Sequence, residues 1–242
     1  MSVLMAVRNR TASLQRTLLK WNAQQYPDWE LLVLDDGSTE DIGGVVLQCA
    51  PAIPAKHIPM PVPKDHRDRP PHIAWNYGFT IATGKFVVVT NGDVIPSHND
   101  LLWRMIANYQ GVRLSVLTYF LTQAMQVDSV DWMNDPYAIT RLPGFYDNNK
   151  AHFAAGLQTQ CAGQFMDDWN WIGRFRPEET HVYSDADLVA RETRALRRVD
   201  TLPGALGYHQ WHPAPMCSAD GPHYAYDAPF QARLLEPARL IK

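Results

Sequence analysis

The fold is decided by the stretch Trp29-Glu-Leu-Leu-Val-Leu34, which runs directly into Asp35-Asp36-Gly37-Ser38. A continuous apolar run of this length predicts a strand buried on both faces, as in a parallel sheet. The acidic pair that follows it predicts a polar site, because ligands of open α/β sheets bind beyond the carboxyl ends of the strands. The same residues are also good turn chemistry, with Gly37 allowing a positive φ.

Two more apolar runs of the same kind are Ser2–Val7 and Lys85–Thr90, and the second ends at Asn91-Gly92-Asp93. Helical patterns alternate with these runs. The predicted helices are Thr11 to Gln25, Asp41 to Cys49, Ile73 to Ala82, Asp100 to Tyr109 and Ser184 to Val199, and weaker strands are predicted at His57 to Met60 and Arg113 to Leu121. This alternation predicts an α/β fold with a mostly parallel central sheet and helices on both faces.

The two acidic sites lie at neighbouring strand ends in this arrangement. Carboxylates of the Asp35–Asp36 pair and of Asp93 would then converge and repel each other. We therefore expect a positive group between them. Asn-Gly-Asp is also ordinary turn chemistry, so the second site alone decides nothing.

Bulk properties set limits on function. The chain has 242 residues, 46% of them hydrophobic, which suits one large α/β domain. Its formal net charge of -3 predicts no nucleic-acid partner, since such proteins usually carry a basic excess. Three widely spaced cysteines and no apolar run near the roughly 20 residues of a membrane span favour a cytoplasmic location.

The expected organisation is one domain over residues 1–215, with a nucleotide-binding half at 1–111 and an acceptor-binding half at 112–215. The remaining residues, 216–242, form a tail with a weak amphipathic pattern. The tail could pack on the domain, form a homo-oligomer contact or touch a membrane surface, and packing is the default expectation.

The order of these pieces resembles the GT-A (Rossmann-like) glycosyltransferases, in particular the inverting enzymes of family 2. The resemblance covers Ser2 to about Pro213, most of the chain. It rests on Ser2 to Arg10, Leu32 to Ser38, Trp75-Asn76 with Ala82-Thr-Gly84, Thr90 to Pro96, and Ser184 to Arg191. It implies transfer of a sugar from a nucleotide-diphosphate sugar, with UDP-sugar favoured by the habits of the family, to a hydroxyl of a glycan or other acceptor.

For the donor, the resemblance places Asp36 at the nucleotide base, where a carboxylate can accept a directional hydrogen bond from an imide N–H. Asn91 stands where the family has the first acid of an Asp-X-Asp motif, so it brings an acceptor oxygen but no charge. The expected donor-binding residues are Val7, Arg8, Arg10, Asp35, Asp36, Arg69, Asn76, Asn91 and Gly92.

For the metal, the resemblance makes Asp93 a ligand of Mn²⁺ or Mg²⁺ that would neutralise the diphosphate. The stretch Tyr208-His-Gln-Trp-His-Pro213 resembles a late histidine motif of the family. His209 and His212 are both candidate ligands, since a neutral imidazole can replace a missing acid.

For catalysis, Asp185 stands at the place of the family's general base, which removes the acceptor proton during an inverting transfer. Ser184 replaces the glutamate that often precedes it. Trp169, Trp171 and Asp187 are the expected acceptor contacts, although both tryptophans could equally be core residues.

Three other functions stay open from the sequence. One is a metal-dependent hydrolase that uses the histidines and aspartates, although their spacing matches no such enzyme. A nucleotidyltransferase that makes sugar nucleotides shares a related fold, but the stretch Arg8-Asn9-Arg10-Thr11 lacks the glycines of its signature. A non-catalytic nucleotide- or sugar-binding protein would explain the departures at Asn91 and Ser184.

Overall fold

A computed structural model describes residues 1–60, 70–149, 160–176, 183–195 and 199–212. Arg69 and the predicted tail at 216–242 lie outside these ranges. Among the helices of the described part, none is long and apolar enough to cross a membrane.

The described elements alternate as expected in the first half of the chain. The strands are β1 (Ser2–Val7), β2 (Glu30–Asp35), β3 (Ala55–Pro59), β4 (Phe86–Asn91), β5 (Val94–Pro96), β6 (Leu114–Phe120), β7 (Cys161–Phe165) and β8 (Asp200–His209). The α-helices are α1 (Thr11–Asn22), α2 (Ile42–Cys49), α3 (Pro71–Ile81), α4 (Leu101–Asn108), α5 (Phe145–Asn149), α6 (Met166–Ile172) and α7 (Tyr183–Arg194).

These strands form one sheet in the order β3-β2-β1-β4-β7-β6-β8-β5. The first four run parallel, while β7 runs antiparallel to β4 and to β6. β8 is parallel to β6, and the short β5 is antiparallel to β8. The predicted α/β fold is therefore confirmed, with the parallel pairing concentrated in the first half of the chain.

Alternate residues of β1 show why both faces of the sheet are covered. Val3 and Met5 pack with α1, whereas Leu4 and Ala6 pack with α3 on the opposite face. Because both faces are covered, the strand is apolar from Val3 to Val7, which is the pattern expected of a buried parallel strand. The prediction of helices on both faces of the sheet is therefore confirmed.

Strand β8 was not predicted, because Pro203, Gly204 and Gly207 give its sequence the composition of a loop. The strand accommodates them with an irregular register against β6, and Gly204 takes a φ of 67°. This strand matters for the site, because it places His209 and His212 close to Asp93, just after the end of β4.

Candidate active site

The carboxyl ends of three parallel strands lie side by side. Val7 of β1 pairs with Asp35 of β2, and Ala6 pairs with Asn91 of β4. The chain then turns through Gly92, whose N–H donates to the Ala6 carbonyl at 2.8 Å. A Cβ on Gly92 would lie 3.0 Å from the Val7 Cβ, so the close approach of this turn to β1 favours glycine.

Asp93 meets both predicted histidines. Val94 pairs with His209 across β5 and β8, and Gln210 N–H donates to the Asp93 carbonyl at 2.9 Å. His209 Nε2 lies 3.6 Å from Asp93 Oδ1, and His212 Nε2 lies 3.4 Å from Oδ2. Residues more than a hundred positions apart in sequence thus form one cluster.

The Asp93 carboxylate is buried and ionised. Burial alone would raise its pKa, but the charges of His209, Arg10 and His212 outweigh that effect and hold the pKa below its usual range. Its Oδ1 is buried without a hydrogen-bond partner among the described residues. A buried anionic oxygen in that state is costly, so it favours a bound cation.

The cluster fits a divalent metal. One ligand atom each from Asp93, His209 and His212 lies within 4.8 Å of the others. Two donors on one ion at roughly 2.1 Å lie roughly 3–4 Å apart, so small side-chain movements complete the set. The Asn91 Oδ1 is also buried without a partner in the described ranges, which leaves it available to a hydroxyl or a metal-bound water.

Arg10 is aimed at this cluster by an unusual turn. Asn9 and Arg10 both take positive φ, 55° and 65°, which non-glycine residues rarely do. The Arg10 Nη1 lies 2.7 Å from Asp93 Oδ2. Residues with a strained backbone often lie at functional sites, and here two of them position a charged side chain against Asp93.

Hydrogen bonds from the β2–α2 loop hold that turn in place. The Ser38 hydroxyl accepts from the Asn9 N–H at 2.7 Å, and the Asn9 Oδ1 accepts from the Thr39 N–H at 2.8 Å. The Glu40 carboxylate accepts from the N–H groups of Arg10 and Thr11 at 3.1 and 2.8 Å. The loop that follows the acidic pair therefore also fixes the direction of Arg10.

Sequence reasoning gave Glu40 no role in the cap of α1. The helix begins at Thr11 behind Arg10, which makes no side-chain cap, and Glu40 takes that role from another loop. Bonds from Thr11 lower the pKa of Glu40, as expected for a carboxylate at a helix N-terminus. The available signal was an acid within Ser38-Thr39-Glu40.

The two residues of the acidic pair at the end of β2, Asp35 and Asp36, make different contacts. The Asp35 carboxylate accepts from the Ser38 N–H at 2.9 Å and lies 2.9 Å from His57 Nε2, a residue that the sequence gave no reason to single out. Asp35 thus shapes the loop. Asp36 is also buried, and its N–H donates to the Val7 carbonyl at 2.8 Å, which keeps it at the strand ends.

The other predicted donor residues are less engaged with the cluster. Arg8 is half-buried beside the same strand end. Asn76, on α3, donates to the Phe175 carbonyl at 2.8 Å and keeps a buried Oδ1 without a partner in the described ranges. Arg69 lies outside the described residues.

The predicted base sits on an anchored helix. Asp185 lies in the first turn of α7 and is half-buried. Glu192, farther along α7, accepts two 2.8 Å hydrogen bonds from Arg113, the residue that precedes β6. This buried pair ties the helix of the predicted base to the sheet.

Two predicted acceptor contacts take structural positions instead. Trp169 is fully buried and donates to the Val87 carbonyl, so it belongs to the core. Asp187 is buried against Arg191 at 2.8 Å and Arg176 at 3.2 Å, so its charge is already paired. Trp171 is 39% exposed and stays accessible.

Comparisons with known proteins identify the family of this chain. The sequence model described as glycosyl transferase family 2 matches residues 2–180, so the chain belongs to that family. No curated protein sequence matches the chain significantly.

Several solved glycosyltransferase structures share the fold. A mannosyltransferase from Pyrobaculum calidifontis, in complex with GDP-Man and Mn²⁺, superposes with a TM-score of 0.60 at 17% identity over 86% of this chain. TarS 1-349 from S. aureus, in complex with UDP-GlcNAc, has a TM-score of 0.60 at 15% identity over 96% of this chain. Glucosyl-3-phosphoglycerate synthase from Mycobacterium tuberculosis, in complex with Mn²⁺, UDP and glucosyl-3-phosphoglycerate, has a TM-score of 0.55 at 16% identity over 88% of this chain.

This chain is shorter than those neighbours. It spans 55% of the mannosyltransferase, 63% of TarS 1-349 and 72% of the synthase. At these identities the likeness establishes the GT-A fold.

Proposed function

We propose that this chain transfers a sugar from a nucleotide-diphosphate sugar, with a UDP-sugar favoured, to a hydroxyl of a glycan or other acceptor. The transfer depends on a divalent metal and inverts the anomeric configuration. The observation that carries the proposal is the cluster of Asp93, His209 and His212 at the carboxyl ends of the parallel strands, beside Asp36. The neighbours with nucleotide sugars and Mn²⁺ support it.

The donor is held by residues of the first half. Asp36 accepts a hydrogen bond from the base, and the Asn91 amide oxygen accepts one from a ribose hydroxyl. Arg8 and Arg10 approach the diphosphate, whose oxygens match a guanidinium fork. When bound by Asp93, His209 and His212, Mn²⁺ or Mg²⁺ supplies the charge that neutralises the departing diphosphate.

The acceptor is activated by Asp185. Its carboxylate takes the proton of the acceptor hydroxyl as that oxygen bonds to the anomeric carbon and the bond to the diphosphate breaks. The nucleoside diphosphate leaves with the electron pair of the broken bond. Asp93 is buried, so its charge interactions with a bound cation are stronger than in bulk solvent.

Thermal unfolding with a panel of nucleoside diphosphates and sugar nucleotides, with and without Mn²⁺, tests the proposal. A ligand at about 100 times its dissociation constant adds roughly 2.7 kcal/mol, a shift of roughly 5–10 °C for a chain of this size. We expect a Mn²⁺-dependent shift with one base, and Asp93→Asn should remove it. No shift with any nucleotide would contradict the proposal.

A second candidate, a non-catalytic nucleotide-sugar-binding protein, draws on the departures at Asn91 and Ser184. It predicts the same thermal shift without turnover. Product analysis separates the candidates, because a transferase or a slow hydrolysis of the donor releases a nucleoside diphosphate. Release of pyrophosphate would instead identify a nucleotidyltransferase.

A further inference from the structure

A polar cleft of about 240 Å³ lies beside the metal cluster. It is bounded by the first turns of α1, by the segment that follows β6 and by the residues that follow β8. The lining residues that matter here are Ser13, Arg16, Gln123, Gln126, Asp128 and Trp211. Pockets for drug-sized ligands measure about 300–1,000 Å³ and are mostly apolar, so this cleft suits a smaller and more hydrophilic group.

The cleft shares backbone with the metal ligands. Gln210, which also lines it, donates its N–H to the Asp93 carbonyl at 2.9 Å. Leu121, at the other wall, donates its N–H to the His209 carbonyl at 2.9 Å. A group held in the cleft would therefore sit next to the site where the donor diphosphate is proposed to bind.

The charges of the cleft cancel. The Arg16 Nε lies 2.9 and 3.1 Å from the two carboxylate oxygens of Asp128, across 112 residues of sequence. This bond raises the pKa of Arg16 and lowers the pKa of Asp128, so both groups stay ionised and paired. An anionic ligand would have to compete with Asp128 for the guanidinium, and the remaining polar lining consists of neutral hydroxyl and amide groups.

Trp211 gives the cleft one flat apolar wall. Its side chain is 42% exposed, although it stands between Gln210 and His212 in the chain. An exposed indole next to hydroxyl and amide groups matches a pyranose, which has an apolar C–H face and a hydroxyl rim.

We propose that this cleft binds a neutral sugar unit of the acceptor, with Trp211 packed on the sugar ring and Ser13, Gln123 and Gln126 available to its hydroxyls. The proposal rests on the proposed transferase function and specifies its acceptor as a neutral glycan. It replaces the acceptor contacts expected from Trp169 and Asp187, which the structure places in the core.

Saturation-transfer NMR tests this with the whole chain and no nucleotide. The probes are methyl hexopyranosides, lactose and maltose, with glucose 6-phosphate and glucuronate as anionic counterparts. We expect at least one neutral probe to bind and the anionic probes to bind more weakly. Trp211→Ala should weaken the neutral probe about fivefold, while Trp211→Phe should retain much of the affinity.

Trp103→Ala is the matched control. Trp103 is 48% exposed on α4, where its ring packs 4.8 Å from that of Tyr26, and it does not line the cleft. It should leave probe binding unchanged. Circular dichroism of each variant verifies its fold, and Trp211→Phe gives the second measurement if the alanine variant is unstable.

Three outcomes would overturn the proposal: no neutral probe binds, tryptophan removal at 211 has no effect on binding, or an anionic probe binds more tightly than every neutral one. Nucleotide-induced thermal shifts on the same samples separate the two proposals. A nucleotide shift without probe binding refutes the cleft alone, whereas probe binding without a nucleotide shift refutes the donor site.

Discussion

The Arg10 Nη1 lies 2.7 Å from Asp93 Oδ2, so the carboxylate that faces His209 and His212 is already paired with a cation of the protein. Arg10 is held toward Asp93 by backbone in the left-handed region and by Glu40. A divalent ion that binds Asp93 must therefore share the carboxylate with a guanidinium or displace it. Like charges this close repel strongly in a partly buried site.

Removal of that charge should tighten metal binding. We expect Arg10→Gln to raise the affinity for Mn²⁺ in the absence of nucleotide by about tenfold, a free-energy change of about 1.4 kcal/mol. The same change should weaken a nucleoside diphosphate in the presence of Mn²⁺, because the guanidinium is proposed to turn to the diphosphate. Isothermal titration calorimetry measures both affinities.

Arg104→Gln is the matched control for charge. Arg104 pairs with Asp100 on α4 at 2.7 Å and has no contact with Asp93, so its loss should leave both affinities near the wild-type values. An unchanged Mn²⁺ affinity in Arg10→Gln would show that the ion pair does not oppose the metal.

The donor set also predicts which metal is preferred. Two imidazole nitrogens and one carboxylate suit Mn²⁺ better than Mg²⁺, which favours oxygen ligands. We expect Mn²⁺ to bind at least about tenfold more tightly than Mg²⁺. His212→Ala should reduce this ratio of the two affinities. Calorimetric titration of both metals is the measurement, with His98→Ala as control because His98 contacts Ser97 instead. Equal affinities in the wild type would argue against histidine ligation.

Asp185 should be needed for transfer and not for donor binding. Loss of a positioned general base costs about 10²–10⁴-fold in rate, so Asp185→Asn should lower kcat by that factor. The thermal shift with nucleotide should stay near wild type. Asp167→Asn makes the same chemical change in the first turn of α6 and should be neutral. Transfer at a near-normal rate in Asp185→Asn would remove Asp185 from the role.

Glu30 should make the fold sensitive to acid. Burial alone would raise its pKa, but hydrogen bonds from Thr83, Ser2 and Lys56 lower it from 4.5 to about 2. A carboxyl whose pKa is depressed in the folded state stabilises it fully above the unfolded value, and this stability is lost as pH falls from about 4.5 toward 2. The contribution is about 3 kcal/mol at neutral pH.

Denaturant unfolding at several pH values tests this. Between pH 5 and pH 3 the wild type should lose more free energy of unfolding than Glu30→Gln, because the variant has no proton to bind there. Asp28→Asn serves as a control, because Asp28 is an exposed carboxyl two residues before Glu30. Parallel pH profiles of the wild type and Glu30→Gln would contradict the expectation.

The parallel half of the fold follows from local pattern. Val3–Val7 and Leu31–Leu34 are apolar at every position, and only a strand covered on both sides accommodates that. Asp36 directly follows the second of these runs and Asp93 closely follows the apolar run Lys85–Thr90, so both could be placed at strand ends from the sequence. His209 and His212 could be named only through the resemblance.

The other half depends on pairing that no local signal encodes. Strand β8 contains Pro203 and Gly204, and only its long-range partners β6 and β5 make it a strand. Trp169 and Asp187 have the residue types of a binding surface, yet burial and ion pairing decided their places. The contact of Arg10 with Asp93 depends on backbone strain, which propensity cannot predict.

The buried pair of Arg113 and Glu192 should control the stability of the helix that carries Asp185. The side chains are 0% and 3% exposed, and two hydrogen bonds of 2.8 Å join them. Loss of one partner leaves an uncompensated buried charge, so Glu192→Gln should cost about 3–5 kcal/mol of unfolding free energy. Denaturant unfolding gives that value directly.

Replacement of both side chains distinguishes two contributions to the free energy of unfolding: the cost of leaving one buried charge unpaired and the stabilisation that the ion pair itself provides. The double variant Arg113→Met with Glu192→Leu should recover most of the lost stability, because similar apolar volume fills the site without a desolvation cost. Transfer activity should recover with it, since Arg113 and Glu192 are buried and belong to neither the proposed donor site nor the proposed acceptor site. If stability returns and activity does not, the pair also sets the position of Asp185, which would assign it a role in orienting the base.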